Sequence, residues 1–141
     1  MIDCLIMGDS IAVGASHTKE LQSCYSYAKG GINTWQFNKM YVDNHKNDFG
    51  AEVVILSLGT NDHKGVKTLA ELEKTRAKIK AQRVYWIMPP CNDGFCKPEV
   101  NDAVKTVANK YGDFIISTKR VQADNVHPSW AGYKEIAEQV K

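Results

Sequence analysis

Short, continuous apolar runs alternate along this chain with stretches of helical periodicity. That alternation constrains the fold more than any other feature. Val53-Val54-Ile55-Leu56-Ser57-Leu58 is almost wholly apolar and rich in β-branched residues. Ile2–Met7 and Val84–Met88 are similar runs, the second stopped by Pro89-Pro90, and Phe114-Ile115-Ile116 is a shorter one. Cys24–Ala28 is weaker and reads as an edge strand. A strand with one wet face alternates polar and apolar residues, whereas a continuous apolar run needs cover on both faces. Between these runs, Val100, Ala103, Val104, Val107, Ala108 and Tyr111 fall on one helix face that ends at Gly112. Trp130, Tyr133, Ile136, Ala137 and Val140 form a last amphipathic face, with Ser129 as its N-cap. Thr68 and Glu71 have the spacing of a capping box, with Leu69, Leu72 and Ile79 following on one side. Residues 11–21 and 34–46 complete the helical series. The order β-α-β-α-β-α-β-α-β-α predicts a three-layer α/β/α sandwich on a five-stranded parallel sheet.

The length of 141 residues suits one domain, 1–141, and is too short for a cofactor domain plus a substrate domain. Charge is nearly balanced, with 18 Lys+Arg against 16 Asp+Glu, so no nucleic-acid partner is expected. A basic stretch, Lys64 to Arg83, reads first as a solvated face and second as a site for an anionic polymer. No run is long enough to cross a membrane, and no membrane partner is expected. The first residues read as a core strand and not as a signal peptide, so the expected location is cytoplasmic, with export by a removed signal left open. On that footing Cys4, Cys24, Cys91 and Cys96 are expected as free thiols, although a local Cys91–Cys96 bridge stays open.

In parallel α/β sheets ligands bind at the carboxyl ends of the strands. The residues at those ends are rich in chemistry. Gly8-Asp9-Ser10 follows the first run and opens a helix. Lys29-Gly30-Gly31-Ile32-Asn33-Thr34 follows the second, and its paired glycines let backbone N–H groups approach a ligand. Gly59-Thr60-Asn61-Asp62 follows the third and offers a carboxamide. Asp124-Asn125-Val126-His127 precedes the last helix, and an Asp three residues before a His can fold back to orient the ring. Together these supply a nucleophile, a base, an orienting carboxylate and oxyanion donors, which is what acyl transfer through serine requires.

In these four blocks the chain resembles the SGNH hydrolase family, also called GDSL esterases or lipases, over residues 2–141. The resemblance implies a flavodoxin-like strand order, 2-1-3-4-5. It implies Ser10 as nucleophile, His127 as base and Asp124 as the carboxylate behind it. The implied oxyanion hole is the N–H of Ser10, the N–H of Gly31 (with Gly30 as the alternative) and the Asn61 side chain. Ile11 stands where the namesake motif has Leu, and Asn125 where a Gly is often found. The implied function is hydrolysis of short-chain, above all acetyl, esters on a small molecule or a carbohydrate polymer, with no cofactor and no metal. An acyltransferase of the same fold is the rival enzyme, and a non-catalytic carbohydrate-binding module is the rival from another class. With no insertion long enough for a lid, a shallow open cleft is expected. Trp35, close after Gly31, and Val126 are the candidate substrate contacts.

Other motifs read as structural. Asp9 and Asp62 suit turn-forming roles. His17, His45 and His63 lack metal-like spacing and read as exposed or locally bonded. Cys91 and Cys96 lack the second pair that a zinc site would need. Gly59 to Gly65 is one residue too long for a phosphate loop and lacks its Lys. Tyr25, Tyr27, Phe37, Trp86 and Trp130 are expected in the core.

Overall fold

A computed structural model describes residues 2–44 and 46–140. The chain runs β1 (Ile2–Gly8), α1 (Ser10–Ser16), β2 (Tyr25–Ala28), α2 (Thr34–Phe37) with a π turn over Asn38–Val42, and β3 (Gly50–Ser57). It continues through α3 (Thr68–Ala77), β4 (Lys80–Ile87), a hairpin of β5 (Cys91–Asn92) and β6 (Phe95–Cys96), α4 (Pro98–Tyr111), β7 (Phe114–Ile116) and α5 (Trp130–Glu138). Five strands form one sheet in the order β2-β1-β3-β4-β7, with every neighbouring pair parallel. This is the expected sheet and the expected strand order.

The pleat explains why β3 is apolar at consecutive positions. Val54 and Leu56 pack with Phe37, Val42, Leu72, Val104 and Val107 beneath α2, α3 and α4. Val53 and Ile55 pack on the other face with Ile11, Ala15, Tyr133 and Ile136 of α1 and α5. Burial on both faces fades at the edges, where Tyr25 on β2 and Phe114 on β7 stay half exposed. Phe114 recovers cover by stacking on Tyr85, with ring centroids 5.1 Å apart.

Several local expectations change. Thr68 does not cap α3, because its hydroxyl instead donates to Asp62 Oδ2 at 2.8 Å, and Lys67 stands at the N-cap without a side-chain bond. Leu69 is exposed, and Ile79 is buried beyond the helix end. The capping box forms at Asn33 and Gln36, starting α2. The helix expected over 11–21 ends at Ser16 and continues as turns, and the one expected over 34–46 finishes in the π turn. His45 lies outside the described residues. Trp130 points largely to solvent, 71% exposed. Among the described residues no helix is long and apolar enough to cross a membrane.

The cysteines are paired, which corrects the expectation of free thiols. Parallel register sets Leu5 opposite Tyr25, so the preceding residues Cys4 and Cys24 lie beside each other, Cα to Cα 4.8 Å, and form a disulfide. That separation is the ordinary spacing of neighbouring strands. Cys91 and Cys96 are register partners in the β5–β6 hairpin and form the second. The basic stretch is dispersed. Lys74 pairs with Asp43 and Arg76 with Asp113, while Lys80 and Arg83 belong to β4 and not to α3.

Candidate active site

The end of β1 admits only glycine. Gly8 has φ +141, and a Cβ there would lie 1.9 Å from the Ser57 carbonyl oxygen. The chain then turns, and Asp9 caps α1 by accepting from the Ile11 N–H at 3.0 Å. Its Oδ1 also accepts from the Ser57 hydroxyl at 2.9 Å, while the Asp9 N–H donates to the Ser57 carbonyl at 3.0 Å. Asp9 is fully buried, and its Oδ2 has no partner. Burial is the main cause that pushes its carboxyl up to about 6. Asp9 thus serves the turn, and Ser10 follows as the first residue of α1.

His127 approaches Ser10 from a loop across the sheet end. Its Nε2 lies 2.8 Å from Ser10 Oγ, and its Nδ1 lies 2.7 Å from Asp124 Oδ2. Asp124 Oδ1 accepts from the backbone N–H groups of Val126 and His127 at 2.9 and 3.0 Å. The His127 hydrogen bond, followed by those two N–H groups, pulls the Asp124 carboxyl down to about 2. An ionised carboxylate only accepts, so Nδ1 carries the ring proton and Nε2 is left to accept from the Ser10 hydroxyl.

The loop that holds this pair is closed by a bridge between Val121 and Pro128. The Gln122 N–H donates to the His127 carbonyl at 2.8 Å, and the Asn125 N–H to the Gln122 carbonyl at 3.0 Å. Ser129 caps α5 through the Gly132 N–H, as its sequence position predicts. Val126 lines a nearly filled space of about 10 Å³ with Ile11, Val121 and Ile136. That is room for one water at most, so Val126 packs this loop against Ile11 of α1 and Ile136 of α5.

The remaining blocks meet on the other side of Ser10. A Cβ on Gly30 would lie 3.8 Å from Ser10 Cβ, and Gly31 adopts φ +77. Gly30 therefore lies beside the serine, and Gly31 turns the chain into α2. Asn61 Nδ2 donates to the Ile32 carbonyl at 3.0 Å, which leaves its second N–H hydrogen for another acceptor. Asp62 is buried and locks the two loops together. It accepts from the Thr34 N–H at 2.8 Å, and from the hydroxyls of Thr34 and Thr68. Nothing in the local sequence signals this four-bond knot, because Thr34 lies 28 residues from Asp62.

Trp35 is 49% exposed and lines an open groove of about 450 Å³ with Lys29, Gly30, Gly31, Lys39 and Met40. Lys39 Nζ lies 5.6 Å from its ring centroid. A roomier groove of about 640 Å³ lies between α3 and α4; Thr68 is on its lining, and Ser10, Asp124 and His127 are not. His17 Nδ1 bonds the Val13 carbonyl at 2.8 Å and His63 Nδ1 accepts from the Gly65 N–H at 3.0 Å, so both are locally bonded.

No protein-family profile matches the chain, and no curated protein matches it by sequence. Solved structures do match. One is a member of the lipolytic protein G-D-S-L family from Veillonella parvula, at 17% identity and TM-score 0.63, covering 98% of this chain and 95% of that one. A second is the C-terminal catalytic domain of peptidoglycan O-acetyltransferase A from Streptococcus pneumoniae, at 18% identity and TM-score 0.64, covering 97% and 89%. A third is an acetylxylan esterase from Geobacillus stearothermophilus, at 12% identity and TM-score 0.61, covering 97% and 91%. Identities this low speak for architecture alone. The chain has the SGNH hydrolase-like α/β fold.

Proposed function

We propose that the chain is a serine esterase that removes short acyl groups, acetyl first among them, from a small-molecule or carbohydrate ester. One observation carries this reading: the unbroken hydrogen-bonded relay from Asp124 through His127 to Ser10. In the proposed reaction His127 Nε2 takes the Ser10 hydroxyl proton as Oγ bonds to the ester carbonyl carbon. Asp124 stabilises the imidazolium that results. The tetrahedral oxyanion is held by the N–H groups of Ser10 and Gly31 and by the free N–H of Asn61. Gly30, lacking a side chain, lets that backbone come close. One such donor is worth ~3 kcal/mol in the transition state, about a hundredfold in rate. The carbon–oxygen bond to the alcohol then breaks, and the alcohol leaves with the proton from His127. Water, losing its proton to Nε2, attacks the acyl-Ser10 carbonyl, releasing the acid and returning the proton to Ser10.

The open groove beside Gly30 and Gly31 offers the alcohol part a flat aromatic surface at Trp35. The fold neighbours include both an acetylxylan esterase and an O-acetyltransferase, so hydrolysis and transfer to a second alcohol are the two outcomes to separate. Two disulfides suit an oxidising compartment, and we propose that the protein works in one rather than in the cytoplasm.

The test is a series of p-nitrophenyl esters of rising chain length, with and without an acceptor sugar. Each added methylene contributes about 0.8 kcal/mol only where it leaves water. In an open cleft kcat/KM should peak at acetate or butyrate. A maximum at decanoate would overturn the short-acyl reading, and absence of turnover on every ester would overturn the esterase. Ester formation outpacing release of acid would favour the transferase.

A further inference from the structure

The β5–β6 hairpin takes no part in the main sheet, yet it contacts two separate loops of the site. Near its tip, Asn92 Nδ2 donates to the Asn125 carbonyl at 2.9 Å. A Cβ on Gly94 would lie 2.0 Å from Asn125 Nδ2, so the tip packs closely against that residue. Asn125 sits between Asp124 and His127 and has φ +61, the only positive φ outside glycine among the described residues. Left-handed backbone at a residue with a side chain persists where its surroundings hold it. Just past β6, Lys97 Nζ donates to the carbonyls of Thr60 at 3.0 Å and Asp62 at 2.8 Å, the residues on either side of Asn61. The Cys91–Cys96 disulfide closes the hairpin between these two contacts. A free hairpin with two-residue strands is marginal in water, so the covalent closure matters to its shape.

We propose that this disulfide-closed hairpin is a brace that fixes the His127 loop against the Asn61 loop, with Asn92 and Lys97 as its positioning residues. Asn92 acts through Asn125 on the Asp124–His127 pair, and Lys97 acts through two carbonyls on Asn61. The brace rests on the esterase reading above, in which those loops supply the base and an oxyanion donor. Its effect belongs to the orientation of groups already present. Misplacement by about 1 Å from outside the reacting centre costs about a hundredfold in rate.

The experiment uses Asn92→Asp, whose remaining oxygen can still accept from the Gly94 N–H as Asn92 Oδ1 does at 3.0 Å, while the donor to Asn125 is lost. The companions are Lys97→Met and Cys91→Ala/Cys96→Ala, with Cys4→Ala/Cys24→Ala as the control bridge. Active sites are first titrated with an organophosphonate, so that kcat for p-nitrophenyl acetate refers to folded, reactive protein. It is measured on the high-pH plateau, where the carboxylate that Asn92→Asp introduces no longer governs His127 protonation. The expected result is a plateau kcat about ten- to a hundredfold below wild type in the three brace variants, with KM nearly unchanged and the control at wild-type kcat. Wild-type plateau kcat in Asn92→Asp overturns the brace, and so does an equal fall in the control. If the cysteine pair variant does not fold, Asn92→Asp and Lys97→Met decide. Failure of wild-type protein to react with the phosphonate or to hydrolyse the ester overturns the esterase reading instead.

Discussion

The two sides of the site are held by different physics. Ser10 follows a turn sealed into the core, where Gly8 touches Ser57 and Asp9 is buried. His127 and Asp124 ride a loop on the surface, with Asp124 exposed. Their carboxylates show the contrast most clearly. Burial lifts Asp9 to about 6, and hydrogen bonding to His127 lowers Asp124 to about 2. One side owes its geometry to packing, and the other to a small set of directed hydrogen bonds. Substitutions on the two sides should therefore fail in different ways.

The largest effect belongs to the nucleophile. Ser10→Ala should lower kcat/KM by about 10⁴-fold or more, with thermal melting close to wild type, because the change removes a single hydroxyl and leaves the turn intact. Activity above a hundredth of wild type would break the comparison at its centre. On the surface side, Asp124→Asn should cost about 10⁴-fold, since the amide can donate to Nδ1 and stabilise the wrong tautomer. An unchanged rate would mean that the loop does not orient the base. Asp124 stays ionised above about 2, so it should add nothing to the acid limb of the wild-type rate above that pH. Protonation of the Asp124 carboxyl at pH 4, read from its side-chain carbon NMR shift, would contradict this.

The smallest effect concerns stability on the core side. The folded state holds the Asp9 proton up to about 6, against 3.8 in the unfolded chain. Between those values the folded state binds more protons, so this contribution is full below 3.8 and is lost as pH rises through about 6. The loss is on the order of 2–3 kcal/mol. Asp9→Asn should remove it, so the variant should gain on wild type in urea midpoint as pH rises from 4 to 7. A constant gap would show that Asp9 does not titrate in that window. Asp124 contributes with the opposite sign, as stability present above 3.8 and lost as pH falls towards 2, so the two windows separate.

Much of this was legible in one dimension. Continuous apolar runs required cover on both faces, and that requirement alone specified the parallel sheet and its two helical layers. Asp124 and His127 are three residues apart, and Ser129 caps its own helix, so ordinary turn and capping chemistry predicted both. The wrong expectations lay beyond the reach of helix periodicity and capping rules. Thr68 has the spacing of a cap, but the Asp62 carboxylate, buried six residues earlier in the same connection, offers its hydroxyl a stronger acceptor. Cys4 and Cys24 read as free thiols until strand register set them side by side. The hairpin was visible only as a local Cys91–Cys96 bridge left open, and nothing near Asn92 in sequence announces Asn125. Periodicity and turn chemistry act over a few residues, so the chain writes them locally. The meeting of Ser10 with His127, 117 residues apart, depends on strand order and loop closure, which only the folded sheet decides.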